Sequence, residues 1–103
     1  MAIKFTQTID SPPNVLRFML HQDKVTGNAY SKQLGEAQTA NNGTMTVTTT
    51  KLANGKIRVT YVHTIPTMEN LNAWKAVLYQ YEDLRLAYMS ANDITYDATT
   101  TEI

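Results

Sequence analysis

Residues 44–64, TMTVTTTKLANGKIRVTYVHT, constrain the fold of this chain more than any other stretch. Two runs of alternating residues flank Asn54-Gly55. Asn-Gly between such runs is the strongest short-range signal for a β-hairpin, because a type I′ turn needs φ > 0 at both central residues. In a two-residue turn Ala53 pairs with Lys56, Leu52 faces Ile57, Lys51 faces Arg58, Thr49 faces Thr60 and Val47 faces Val62. In a three-residue turn with a bulge at Gly55, Leu52 pairs with Lys56 instead. The first strand then offers Thr46, Thr48 and Thr50, not Thr49 and Lys51, to the face that carries Arg58. The two-residue turn is the preferred reading, because it puts Leu52 in the core and Lys51 outside.

In either register Ile57, Val59 and Tyr61 are the apolar set of the second strand, so Lys56, Arg58 and Thr60 face away from the core. His63 continues the apolar set as a core-edge residue. Like charges directly opposite each other, as Lys51 and Arg58 are in the preferred register, cost on the order of 0.2–1 kcal/mol. Two readings of that pair stay open. The side chains splay into water, or an anion such as a phosphate sits between them, with threonine hydroxyls as further donors.

The chain has 103 residues, which reads as one domain, 1–103. Hydrophobic residues make up 43%, enough for a modest core. A domain of this size leaves much of its surface exposed, so association would help it. There is no cysteine, which excludes disulfides, thiolate metal sites and a cysteine nucleophile. No apolar run approaches the roughly 18 residues of a membrane span, and MAIKFTQTID lacks the apolar centre of a signal peptide. The expectation is a protein that stays in the cytoplasm where it is made, or in an assembly built there. Net charge is zero, which argues against a strong non-specific nucleic-acid binder. The charges are uneven: residues 1–64 carry a net of +4 and residues 65–103 a net of −4. Such a division marks a one-sided surface or two halves that attract each other.

Sixteen threonines cluster outside residues 68–94. Threonine favours strands over helices, so a β-sheet region over 1–64 precedes a helical one. Residues 2–9 alternate as a half-buried strand. Asp10 to Asn14, with two prolines, is a turn. Residues 15–21 read as a second strand, with Leu16, Phe18 and Leu20 on one face. Residues 29–34 read as a short third, and 35–43 as a polar loop. The hairpin completes about five strands. Residues 67–91 are the one convincing helix, with Thr67 as N-cap and Glu69 in the first turn. Leu71, Trp74, Leu78, Tyr81, Leu84 and Tyr88 recur at spacings of three and four. Tyr79, Leu86 and Met89 lie off that stripe. A helix that is apolar on more than one side predicts packing on its own sheet and on a second copy. The alternative is a bend near Gln80 to Asp83 that makes two shorter helices on one monomer. Residues 93–103 read as a polar tail with room for one short strand.

Catalytic signatures are absent. His21 and His63 have no metal-ligand spacing. None of the serines sits in a nucleophile elbow. Glu82 and Asp83 are neighbours on a helix and point apart. The glycines form no phosphate-cradling loop. No enzyme, cofactor or metal site is therefore expected.

The threonine-rich antiparallel sheet, its basic polar face and the following helix resemble the coat proteins of single-stranded RNA bacteriophages. The segments that carry the resemblance are MTVTTTKL, KIRVTYVHT and the helix opening MENLNAWK, within residues 44–92. The resemblance implies an N-terminal hairpin and a meander of strands, with C-terminal helices that clasp a partner subunit. It further implies a homodimer, an icosahedral shell (a virion), and genomic RNA bound on the inward face of the sheet. On this chain Thr49, Lys51, Lys56, Arg58 and Thr60 would face RNA. The helix residues Leu71, Trp74, Leu78, Tyr81, Leu84 and Tyr88 would pack on the sheet or the partner. The chain is shorter than those coat proteins and shows fewer strands and one helix where two are usual. Two rival readings stand beside it. One is a small dimeric accessory protein of phage type. The other is a ligand-binding module or enzyme with a pocket between sheet and helix, near Tyr61, His63 and Trp74.

Overall fold

The computed structural model describes residues 2–14 and 24–103. Among them the order of elements is β1 (Ile3–Ser11), α1 (Lys24–Ala40), β2 (Thr44–Lys51), β3 (Ile57–Ile65), α2 (Met68–Leu78), α3 (Glu82–Ala91) and β4 (Thr95–Glu102). A 3-10 turn, Tyr79–Tyr81, joins α2 to α3. The four strands form one antiparallel sheet in the order β2-β3-β1-β4. This is the βαββαβ arrangement of ferredoxin-like domains. The α+β class and the helical segment after the hairpin are as expected. The strands number four among the described residues rather than about five. The predicted strand over 15–21 lies outside the described residues. The order also departs from the coat-protein resemblance, with a helix between β1 and β2 and a strand after the last helix.

Residues 29–34, read as a strand, belong to α1, and so do residues 35–40 of the predicted loop. Local preference is weak here, since Thr, Gly, Asn and Ser are poor helix formers. Tertiary contacts override it. Tyr30, Leu34 and Ala37, spaced four and three apart, lie on the side that meets the core. The helix ends on Asn42, at φ 56°, with Gly43 N–H donating to the Gln38 carbonyl at 2.8 Å and Asn42 N–H to Thr39 at 3.1 Å. That is a Schellman cap, with asparagine in the left-handed position. α3 ends the same way on Asp93, at φ 57°, with Ile94 N–H bonded to the Met89 carbonyl at 2.9 Å.

The hairpin forms between the predicted strands, but in the other register. Lys51 pairs with Ile57, Thr50 with Arg58 and Thr48 with Thr60. Leu52 N–H bonds the Lys56 carbonyl at 2.8 Å, and Gly55 N–H bonds the Leu52 carbonyl at 3.1 Å. Of the two central residues only Gly55 has a positive φ, 90°. A type I′ turn needs two, so the chain takes the three-residue turn with its glycine bulge. Thr49 and Lys51 are thereby moved to the face opposite Arg58 and Thr60.

At the start of α2, Thr67 is the N-cap as predicted, its hydroxyl accepting from Asn70 N–H at 3.1 Å. The 3-10 turn falls where the bend was the alternative reading. Glu82 N–H bonds Tyr79 there, and the Tyr30 hydroxyl donates to the Leu78 carbonyl. The core lies between sheet and α2, where Ile3, Phe5, Ile65, Leu71, Trp74 and Leu78 form one cluster. At about 25 cal/mol per Å² of apolar surface removed from water, this cluster is the main source of stability. Past the turn the buried positions are Arg85 and Met89, not Leu84, which is 56% exposed. Arg85 lies seven residues beyond Leu78, on the same helical face. Tyr81 and Tyr88 are half-buried. Residues 95–102 of the predicted tail form β4, paired along β1.

Candidate functional site

The two faces of the sheet differ in chemistry. On the open face the registers align four rows across β2, β3, β1 and β4: Thr44-Thr64-Lys4-Thr101, Thr46-Val62-Thr6-Thr99, Thr48-Thr60-Thr8-Asp97 and Thr50-Arg58-Asp10-Thr95. Eleven of these sixteen positions are threonine, so the face offers hydroxyls but few charges. Two cations on this side, Arg58 and Lys56, have partners within the chain. Arg58 donates to both carboxylate oxygens of Asp10, from Nε at 2.8 Å and from a terminal nitrogen at 2.9 Å. That bond holds the Asp10 carboxyl below its ordinary range. Lys56 reaches the backbone carbonyl of Asp93 at 2.9 Å, with the carboxylate at 3.4 Å. Of the predicted RNA-facing residues, only Arg58 and Thr60 share this face within the strands, with Lys56 beside them at the end of β3. Thr49 and Lys51 are exposed on the other side of edge strand β2. The proposed Lys51–Arg58 anion clamp does not form.

The covered face contains a cavity of about 340 Å³. The sheet supplies Gln7, Ile9, Met45, Tyr61 and His63 to its walls. α1 supplies Ser31, Leu34, Gly35 and Gln38, α2 supplies Trp74 and Leu78, and α3 supplies Arg85 and Met89. The cavity exists because three helices meet over one four-stranded sheet without filling the space between them. Its volume and its apolar lining with a few polar groups are those of a small-molecule site.

A directed chain of hydrogen bonds crosses the floor. The Tyr96 hydroxyl donates to Gln7 Oε1 at 2.8 Å, and Gln7 Nε2 donates to His63 Nε2 at 3.0 Å. His63 Nδ1 then donates to Gln38 Oε1 at 3.2 Å. Each group satisfies the next only if His63 is neutral with its proton on Nδ1. Its surroundings favour that form: burial pushes its pKa down to about 4. The ring stands 4.4 Å from that of Trp74, and Phe5 lies beside both, 5.8 Å from Trp74, edge to face, and 6.1 Å from His63. Burial likewise raises Tyr30 to about 12 and raises Tyr96.

Arg85 is the charged member of the wall, and only 3% of it is exposed. One terminal nitrogen binds both carboxylate oxygens of Glu82, at 2.9 and 2.7 Å. The guanidinium lies over the Tyr96 ring at 4.3 Å and near that of Tyr79 at 5.5 Å. Two buried donors in this region, Arg85 Nε and Trp74 Nε1, have no hydrogen-bond partner among the described residues. Among those residues no three carboxylates or histidines group as metal ligands, and no helix is long and apolar enough to cross a membrane. Tyr61, His63 and Trp74 were legible as pocket neighbours. Gln7, Gly35 and Arg85 were missed. The only early signal for Arg85 was its place seven residues after Leu78.

No protein-family model and no curated protein matches the chain. Among solved structures it is similar to the de novo designed protein Foldit4, with a TM-score of 0.61 and 12% identity over 100% of this chain and 99% of that one. A second designed protein, Ferredog-Diesel, has a TM-score of 0.44 and 6% identity over 96% of this chain and 84% of its own. A protein described as an aminohydrolase from methicillin-resistant Staphylococcus aureus has a TM-score of 0.44 and 8% identity over 98% of this chain and 30% of its own. The similarity to Foldit4 concerns the fold alone.

Proposed function

We propose that the chain is a small-molecule-binding protein whose site is the cavity between the covered sheet face and the three helices. Gly35 carries this reading. A glycine inside a helix costs roughly 0.5–1 kcal/mol relative to alanine. No close approach requires it here, since a Cβ at position 35 would meet nothing within 4 Å. Gly35 is exposed at the mouth of the cavity, and the stability given up leaves that mouth open beside Leu34 and Gln38. Both ring nitrogens of His63 are engaged within the floor, so the site reads as binding machinery rather than acid–base machinery. The test is titration with N-phenyl-1-naphthylamine, an uncharged apolar fluorophore. One molecule should bind per chain, with energy transfer from Trp74, the chain's one tryptophan. Gly35→Leu should obstruct the mouth of the cavity, weaken binding at least tenfold and leave the fold at least as stable. Absence of binding, or binding untouched by this substitution, would overturn the reading.

The reading of a dimer that builds a shell around RNA in a virion has one observation in its favour. β2 is an edge strand, and all its residues are exposed, with Met45 at 43% and Val47 at 50%. Such an edge is a template for strand addition by a second copy. For RNA the support is thinner, because Arg58 and Lys56 have acidic partners. Size-exclusion chromatography of the purified protein separates the readings. A very large particle with nucleic-acid absorbance supports the shell, and a small species without it supports the pocket reading.

A further inference from the structure

We infer that edge strand β2 is a docking surface for the β2 strand of a second copy, and that two chains close into a pair through one eight-stranded antiparallel sheet. This goes beyond the pocket reading and does not depend on it. The order β2-β3-β1-β4 leaves two edges, each with a row of unpaired backbone N–H and C=O groups. Native edges are commonly blunted by charge, by proline or by a covering element. β4 carries Asp97 and Glu102, and its Tyr96 and Ala98 are half-buried. β2 has no such guard over residues 44–50, TMTVTTT, a run without charge, proline or glycine. All eight residues of β2 are exposed, those on the helix side included, so among the described residues no helix overhangs the approach. The chain's net charge is zero, which removes overall repulsion between copies.

The occupant is a second copy because the strand is complementary to itself. A two-fold axis normal to the sheet sets β2 antiparallel to its counterpart and keeps both faces continuous. The centre of the uncharged run is Val47. With the axis there, the whole run pairs with itself: Val47 lies opposite the partner's Val47, and Met45 opposite the partner's Thr49. Thr46 then meets the partner's Thr48 on the open face, a favourable cross-strand pair. Met45 and Val47, 43% and 50% exposed, gain neighbours across the joint. Lys51, the one charge of β2, falls outside the paired run, so no like charges oppose each other. Moving the axis to Thr48 would set Met45 against the partner's Lys51. Pairing β2 head to tail on β4 would leave a free edge at each end and grow without closing. The self-pairing closes, and leaves only the two acidic β4 edges in water.

Sedimentation equilibrium of the full chain is the test. The mass of the wild type should rise with concentration from that of one 11.6 kDa chain to that of two, and stop there. Val47→Lys sets two lysines against each other at the axis and should weaken pairing at least tenfold. Val47→Glu should do the same. An equimolar mixture of these two variants should regain pairing at wild-type strength or better, because opposite charges then meet at the axis. That recovery also separates lost pairing from misfolding, and Val47 is exposed enough that neither substitution opens the core. Thr99→Lys, on the β4 edge, should leave pairing unchanged. A wild type that keeps the mass of one chain at millimolar concentration would overturn the inference, and so would growth past two chains. Pairing that survives Val47→Lys, or is lost in Thr99→Lys, would place the joint elsewhere and overturn it too. A mixture that fails to pair would overturn self-pairing at Val47. None of these outcomes bears on fluorophore binding, so the pocket reading stands or falls separately.

Discussion

On the covered face of the sheet, Ile3, Phe5, Val59 and Ile65 are buried beneath the helices, and two of the buried polar residues there, Gln7 and His63, are tied into one hydrogen-bonded chain. On the open face the same strands present threonine after threonine, with one bidentate ion pair between Arg58 and Asp10. A period of two along each strand produces both faces from the same residue runs. The difference teaches where stability and specificity can reside. Burial and unmet donors lie on the covered side. The open side carries balanced charges, two of them paired as Arg58 and Asp10.

The largest contrast is in stability. Leu71→Ala empties a fully buried position in the cluster under α2 and should cost about 2–5 kcal/mol. Thr60→Ala on the open face should stay within about 0.5 kcal/mol of wild type. Urea denaturation of both variants checks the pair, and comparable losses would break the contrast.

Acid comes next. His63 has a folded-state pKa of about 4, below its unfolded value of about 6.5. Between those values the unfolded chain binds a proton that the folded chain does not. Stability is therefore flat above about pH 6.5 and falls as the pH drops towards 4, by up to about 3 kcal/mol. Asp10 is also held low, by Arg58, so its contribution is present above the unfolded carboxylate value of about 3.9 and is lost only below it. Urea midpoints at about pH 7 and about pH 4.5 should differ in wild type and in Asp10→Asn, and much less in His63→Asn.

Smaller effects follow in the hairpin. Gly55→Ala places a side chain at φ 90° and should cost about 1 kcal/mol, whereas Asn54→Ala, with no positive φ, should cost only the exposed hydrogen bond that Asn54 Oδ1 accepts from Lys56 N–H, about 0.5 kcal/mol. In a type I′ turn both substitutions would be costly. The smallest effect is in coupling. Lys51 and Arg58 lie on opposite faces, so a double-mutant cycle between them should be additive within about 0.3–0.5 kcal/mol. Arg58 and Asp10, in direct contact, should show measurable coupling in the same assay.

The contrast also explains what could be read in advance. Thr67 as a cap, Asn54-Gly55 as a turn and Ile57, Val59 and Tyr61 as one face follow from local chemistry, and all three held. The register did not, because the dipeptide permits either turn and the φ of Asn54 decides between them. α1 was illegible because its residues prefer loops, and among the described residues Tyr30, Leu34 and Ala37 mark its packed side. β4 read as a tail because it is an edge strand, polar on nearly every position. Arg85 was passed over for Leu84, since charge argues for exposure. Glu82 and the rings of Tyr79 and Tyr96 are what make its burial tolerable. Tyr61, His63 and Trp74 all fall on the covered side, so one wall of the pocket was visible without α1, and the wall carrying Gly35 was not.

The most direct test of the two-faced account is an NMR titration of the labelled wild-type protein with N-phenyl-1-naphthylamine. The account predicts shifts at the Trp74 indole and in the backbone of Leu34 to Gln38, Tyr61 to His63 and Arg85 to Met89, with Thr6, Thr48, Thr60 and Thr99 unmoved. Shifts confined to the threonine face, or spread evenly over both faces, would contradict it.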